Sequence, residues 1–298
     1  MSPGLLLIAL AAVSWGTTGA TMKTLAAEAA AGPLFVGFMR VAVAAPVLVV
    51  VAQSLGRPWP RWRLCAPVAL VAGICMAGFQ IGYFSAVTRV GVALTALIAI
   101  CSAPIMIAVL SVIFLGERLT PRVLLALGLG IAGTGLLLLG PGGVQAAGGE
   151  FLLGSLLALG AGLSYAVYAV VAKRVMEKIH PLQLAAMTFV VAAILLSPAP
   201  AGQAELGATF SEGWPLLLYL GLVPSALGYI LFNTGLRTTG ATVASIVTLL
   251  EPLTASILGL TLFDERLGLL GATGAAILVA AIVVLARNRV ASTTLEVR

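Results

Sequence analysis

Charge is the scarcest thing in this sequence. Its 298 residues include 16 Lys and Arg and 10 Asp and Glu, so 9% of the chain is charged, where ordinary globular proteins carry about 25%. So few charges cannot clothe the exterior of a soluble fold of this length. Histidine occurs once and cysteine three times, and Cys65, Cys75 and Cys101 all fall in apolar segments. Neither a disulfide framework nor a metal site follows from that inventory, and no cofactor is implied. Also missing is the alternation of apolar and polar residues over about ten positions that marks a strand of a membrane β-barrel. Low charge does not mean disorder here, because mean hydropathy is +1.15 and 61% of residues are hydrophobic, the reverse of a disordered composition. What the chain holds instead is a series of long apolar runs. It reads as an all-α, polytopic membrane protein whose first partner is the lipid bilayer. The net charge of +6 is scattered rather than gathered on one face, so nucleic acid is not an expected partner.

A hydrocarbon core about 30 Å thick needs about 20 apolar residues per helix. Runs separated by Gly, Pro and charge clusters predict ten spans, near 4–27, 33–54, 65–87, 91–115, 121–140, 151–173, 182–198, 214–235, 240–263 and 267–286. The first run lacks a basic leader and is too long for the core of a signal peptide, so it is expected to be a retained helix. Very short connections make spans three and four, four and five, eight and nine, and nine and ten antiparallel neighbours. Orientation comes from Lys and Arg in alternate loops. With a cytoplasmic N-terminus, the inner side carries Arg57, Arg61, Arg63, Arg118, Arg122, Lys173, Arg174, Lys178, Arg237, Arg287, Arg289 and Arg298, and the outer side only Lys23, Arg89 and Arg266. Twelve against three predicts a multi-pass protein of a bacterial-type inner (plasma) membrane with both termini cytoplasmic.

The sequence also repeats itself. A shift of 148 residues aligns Arg89 with Arg237, Ala93 with Ala241, Ile98 with Ile246, Pro104 with Pro252, and Glu117-Arg118-Leu119 with Glu265-Arg266-Leu267, without a gap. A shift of 150 pairs Ser14-Trp15 with Ser164-Tyr165 and Lys23 with Lys173. Two five-helix units, 1–148 and 149–298, follow. Because five is odd, the second unit enters the membrane from the opposite side, which puts Glu117-Arg118 in an inner loop and Glu265-Arg266 in an outer one. Inverted repeats are the construction plan of many secondary transporters, with a substrate site between the halves and alternating access by rocking.

Ser14-Trp15-Gly16 in the first span, Arg40 early in the second, Pro104 thirteen residues before Glu117-Arg118-Leu119, and Glu251-Pro252 with Glu265-Arg266-Leu267 in the second copy resemble the EamA repeat of the drug/metabolite transporter superfamily. Within it the chain looks most like the YddG-type amino-acid exporters, some of which carry aromatic amino acids. Ala103 before Pro104 points to a roomier pocket. The resemblance implies a carrier of small metabolites, driven by protons or another gradient, with a central cavity lined mainly by spans one, three, four, six, eight and nine. Amino acids or similar small zwitterions, moved outward, are the expected substrates; nucleotide sugars and cationic drugs are the alternatives.

Several side chains stand out against their apolar surroundings. Glu251 lies about twelve residues into the ninth span, where a carboxylate costs roughly 2.5–3.5 kcal/mol to insert and therefore faces a cavity or a partner. It is a candidate for the substrate ammonium or a coupling proton, or for a structural pair with Arg40, about 10 Å into the second span at 1.5 Å per residue. Pro104 and Pro252 each lack an N–H and crowd the carbonyl four residues back, Ile100 or Thr248, which kinks a helix or frees the carbonyl for a ligand. Trp15 and Tyr165 occupy matched positions away from the interfacial belts where such residues usually sit. They are read either as pocket walls or as core packing, with Tyr168 one turn from Tyr165. Gln80, Tyr83, Ser102, Tyr229 and Asn233 are further candidates for pocket or gate.

Other classes find less support. Gly128, Gly130 and Gly133 match the spacing of a dinucleotide loop but lie inside an apolar helix with no strand before it; small residues there are expected to serve close helix packing. His180, the single histidine, falls in an inner loop, so the His-containing sets that a hydrolase or metalloenzyme needs at membrane depth are lacking, and an enzyme is not expected. No charged ring or filter-like loop of the kind that selects ions in a channel is visible.

Overall fold

The computed structural model describes residues 2–56, 58–59, 62–139, 150–203, 205–263 and 268–286, and among them no strand occurs. Among the described residues eight helices are long and apolar enough to cross a membrane: α1 (Pro3–Glu28), α2 (Pro33–Ser54), α3 (Cys65–Val92), α4 (Leu94–Leu115), α5 (Pro121–Leu138), α6 (Phe151–Val175), α8 (Leu206–Thr238) and α9 (Ala241–Leu262). Two apolar helices are shorter, α7 (Pro181–Leu196) and α10 (Leu269–Leu285). The ten expected spans thus resolve into eight helices of crossing length and two below it.

Proline and glycine punctuate the chain in opposite ways. Pro3, Pro33, Pro121 and Pro181 open their helices behind an extended residue, where a fixed φ and a missing N–H cost nothing. Gly91 at φ 80° and Gly116 at φ 67° supply left-handed turns on either side of α4. The junction of α3 with α4 is so tight that helical geometry runs to Gly91 and resumes directly after it. The eighth helix departs from expectation more plainly. Residues 200–212 read as an outer loop, yet α8 begins at Leu206, with Phe210 and Trp214 exposed on its first turns. Apolar runs mark where lipid begins, whereas a helix extends as far as its backbone hydrogen bonds run, here back to Leu206.

The packing is inside out relative to a soluble protein. Large side chains such as Ile113, Leu152, Ile194 and Leu262 are exposed around the bundle, while alanines dominate the interior. Lipid gives helices no hydrophobic reason to associate, so small residues that allow close backbone approach govern the contacts. Gly133 of α5 meets Gly274 of α10 so closely that a Cβ at Gly133 would lie 2.8 Å from Gly274 O. The dinucleotide-like glycine spacing therefore serves helix packing at Gly133. Topologically, α1 packs on α8 and α9, and α6 packs on α3 and α4. Each half's first helix is thus held by the third and fourth helices of the other half.

Candidate functional site

The site is organised by a defect in α8. Pro224 has no N–H, so Leu220 O, four residues back, loses its helical donor. The backbone answers with a π-helical turn, Gly221–Leu227, where Gly228 N–H bonds Val223 O and Ser225 O rather than Pro224 O. Side chains also donate to Leu220 O and Pro224 O. Ser225 Oγ donates to Leu220 O at 2.7 Å, and Trp15 Nε1 of α1 donates to Pro224 O at 2.8 Å. Arg40 of α2 in turn donates from Nε to Ser225 Oγ at 3.3 Å. Gly228 makes room for this, since a Cβ there would lie 2.7 Å from Trp15 Nε1.

Trp15 is also the hub of a chain of rings. Its centroid lies 5.1 Å from Tyr229, 5.3 Å from Phe232 and 6.2 Å from Tyr165. Tyr165 leads on to Phe79 at 6.3 Å, then Tyr83 and Phe84 in steps of 5.6 Å. Tyr229 leads the other way, to Phe189 at 5.0 Å and Tyr168 at 5.7 Å. Four of the chain's five tyrosines therefore sit in one cluster. Tyr168 Oη donates to Asn233 Oδ1 at 3.0 Å. Other polar atoms in the same region stay unsatisfied by protein: Gln80 Oε1 and Asn233 Nδ2 are buried and have no partner among the described residues, and Tyr165 Oη has only a loose contact with Thr248. An orphaned buried polar group costs about 1–3 kcal/mol, and such groups invite explanation by a ligand.

Glu251 enters through a second defect. Pro252 cannot donate to Thr248 O, which accepts from Glu251 N–H at 3.0 Å instead. Helical geometry in α9 pauses at Thr248 and Leu249, so Glu251 stands in the first turn after the break. At the matched Pro104, by contrast, α4 continues as helix. The half-buried Glu251 carboxylate is within electrostatic reach of Arg40, Tyr83, Tyr165 and Tyr229. Arg40, buried at 9% exposure, makes no ion pair with it: among the described residues no carboxylate lies within 4.0 Å of the guanidinium.

Of the residues singled out in the sequence, Trp15, Tyr83, Tyr165, Tyr168, Tyr229, Asn233, Arg40 and Glu251 come together, and buried Gln80 lies on α3 one turn from Tyr83. Ser102 faces α6 at Gly162, where a Cβ would lie 2.7 Å from its Oγ, and donates to Ala99 O within its own helix at 3.3 Å. Sequence reading missed Phe79, Phe189 and Phe232, and also Pro224 and Ser225, although a mid-span proline was a usable signal for the last two. Glu265-Arg266-Leu267 lie outside the described residues. Their first-copy mate Glu117 is placed: its carboxylate accepts from Ala241 N–H, from Thr242 N–H at 3.2 Å and from Thr242 Oγ1 at 2.8 Å, capping the start of α9. Cavities flank the ring chain at opposite ends of α2. One of about 370 Å³ is lined by Pro58, Met176, Lys178, His180 and Arg237; the other, about 280 Å³, is lined by Pro33, Phe84, Ser85, Thr88 and Gln203.

Fold and site together define a polytopic α-helical membrane protein with an aromatic and charged centre inside an apolar bundle. The EamA-like transporter family matches residues 2–139 and again residues 152–287. The chain belongs to that family, has its two-repeat architecture, and is a transporter of the drug/metabolite type. It is 33% identical over 281 residues to the uncharacterized transporter YwfM of Bacillus subtilis, covering 94% of this chain and 92% of the relative. It is 26% identical over 267 residues to a probable terminal-alkyne amino-acid exporter of Streptantibioticus cattleyicolor, covering 85% and 86%. A protein of known crystal structure shares the fold with a TM-score of 0.81 at 20% identity over 96% of each chain.

Proposed function

We propose that this transporter exports amino acids or similar small zwitterions across a bacterial inner membrane by alternating access. The carrying observation is the ring cluster around Trp15 with one carboxylate, Glu251, and several unsatisfied polar atoms inside an otherwise apolar bundle. Rings of this kind accommodate an apolar or aromatic side chain, and a charge kept at membrane depth marks a substrate or ion path. In this reading the chain crosses ten times, as halves 1–148 and 149–298 of opposite orientation, with both termini cytoplasmic. Trp15, Gln80, Tyr83, Ser102, Tyr165, Tyr168, Tyr229 and Glu251 contact substrate, and the breaks at Pro224 and Pro252 let α8 and α9 bend as the halves rock. The similarity to the probable terminal-alkyne amino-acid exporter of Streptantibioticus cattleyicolor and the resemblance to the YddG-type exporters support amino acids.

An organic cation is the second reading, because rings with a carboxylate also suit a cation–π site. Both are tested by purified protein in liposomes, assayed for counterflow of the twenty proteinogenic amino acids, a nucleotide sugar and a quaternary ammonium drug, with and without a pH gradient. Saturable amino-acid counterflow is expected, accelerated by the gradient if protons are coupled. Counterflow of only the drug or the nucleotide sugar overturns the substrate class, and flux linear in concentration without counterflow overturns the carrier.

A further inference from the structure

Arg40 is an expensive residue to bury, and the structure uses little of its hydrogen-bonding capacity. A guanidinium offers five N–H donors in a planar fork. The Nε–H goes to Ser225 Oγ; the four donors on Nη1 and Nη2 have no acceptor among the described residues. Glu251 is equally underused, since neither carboxylate oxygen receives a hydrogen bond from a described residue. The two charges feel each other but stay more than 4.0 Å apart. Tyr83 and Tyr229 each lie within electrostatic reach of both.

A buried pair normally closes to contact, because separated charges forgo the attraction that offsets their desolvation. Holding them apart is sensible where a third body completes both. Serine at 225 fixes the guanidinium by its Nε edge, and the fork's remaining edge is the one that binds a carboxylate through two parallel bonds. We infer that Arg40 and Glu251 form a two-point clamp for the α-amino-acid headgroup, Arg40 taking the carboxylate and Glu251 the ammonium, while the rings around Trp15 receive the side chain. The assignment rests on the amino-acid reading and goes beyond it, because it makes both charges of the headgroup obligatory and rejects amines and acids that carry only one. No proton or covalent chemistry is required.

The test begins with the unaltered protein in liposomes. For the amino acid showing fastest counterflow, three competitors are added: its primary amide, its decarboxylated amine and its N-acetyl derivative. Each is expected to compete about ten- to hundredfold less well than the parent, the range for one charge-assisted hydrogen-bonded contact. In R40Q the amide and amine should compete as well as the parent. In R40K, which keeps the charge without the fork, part of the preference should return. The E251Q variant should lose only the discrimination against the N-acetyl derivative. These ratios are independent of how much protein folds, and the unaltered protein carries the test if a variant fails to insert. Equal competition by amide or amine in the unaltered protein, or an unchanged preference in R40Q, overturns the clamp while leaving amino-acid transport standing. Absence of counterflow for every amino acid overturns the transport reading, and the clamp with it.

Discussion

Three hydroxyl or indole groups in the site look alike in sequence and differ in what they do. Trp15 Nε1 satisfies Pro224 O, Tyr168 Oη satisfies Asn233 Oδ1, and Tyr165 Oη has only a loose contact with Thr248. Hydrogen bonds between membrane helices average roughly 0.6 kcal/mol, and an orphaned buried acceptor raises the loss to about 1–3 kcal/mol. Trp15→Phe and Tyr168→Phe should therefore each lower stability by about 1–2 kcal/mol, read as an earlier thermal transition in detergent. Tyr165→Phe should leave that transition in place, because its hydroxyl has only a loose contact with Thr248, and should weaken substrate instead. A lower transition in Tyr165→Phe would mean that the hydroxyl is structural. These residues were visible in the sequence because Trp, Tyr and Glu are out of place in the middle of apolar spans. Phe79, Phe189 and Phe232 were not, since phenylalanine in an apolar run announces nothing about which rings it will meet.

At the scale of the element, two prolines act through the carbonyls they strand. In α9 the consequence is local: a short pause and a carboxylate at the restart. In α8 it is distributed over three helices, because Ser225 of α8, Trp15 of α1 and Arg40 of α2 are all hydrogen-bonded at the π-turn. Pro224→Ala returns an N–H that can bond Leu220 O, favouring an ordinary α-turn and removing the acceptor from Trp15. Its expected outcome is normal expression with counterflow reduced at least about tenfold, equivalent to about 1.4 kcal/mol; full counterflow would show that the turn is not needed. Helix existence and most boundaries were legible from apolar runs bounded by proline and glycine. The π-turn was not, since local sequence supplies the missing donor but only tertiary contacts decide how the backbone repairs it. The early start of α8 escaped for a different reason, because hydropathy reports the lipid boundary and says little about where backbone hydrogen bonding begins.

For the whole molecule, Glu117 binds sequence-distant parts through a single side chain. From the turn between α4 and α5 it accepts three hydrogen bonds at the start of α9, joining the first half to the second at one end of the bundle. Lys173, at the same end, donates to Leu236 O at 2.8 Å and Arg237 O at 3.2 Å, so neighbouring helix ends are tied as well. Glu117→Ala should loosen this end. Expected is faster labelling by an impermeant thiol reagent of a cysteine placed at buried Ser245, in a background lacking Cys65, Cys75 and Cys101, whereas unchanged labelling would reduce Glu117 to a local cap. The sequence foretold the repeat that pairs Glu117 with Glu265, yet not the partner of its carboxylate, because capping across halves depends on how the two units are laid together.

The crosswise holding of each half's first helix by the other half also imposes a schedule on synthesis. Trp15 and its acceptor Pro224 are separated by 209 residues. At a ribosomal rate of about 5–20 residues per second, α1 resides in the bilayer for roughly 10–40 s before the backbone it is shaped to grip has been made. During that interval its indole and its close-packing glycines face lipid or temporary neighbours. The newborn first half is therefore a membrane client in waiting, and the insertion machinery and membrane proteases meet it before its proper partner does.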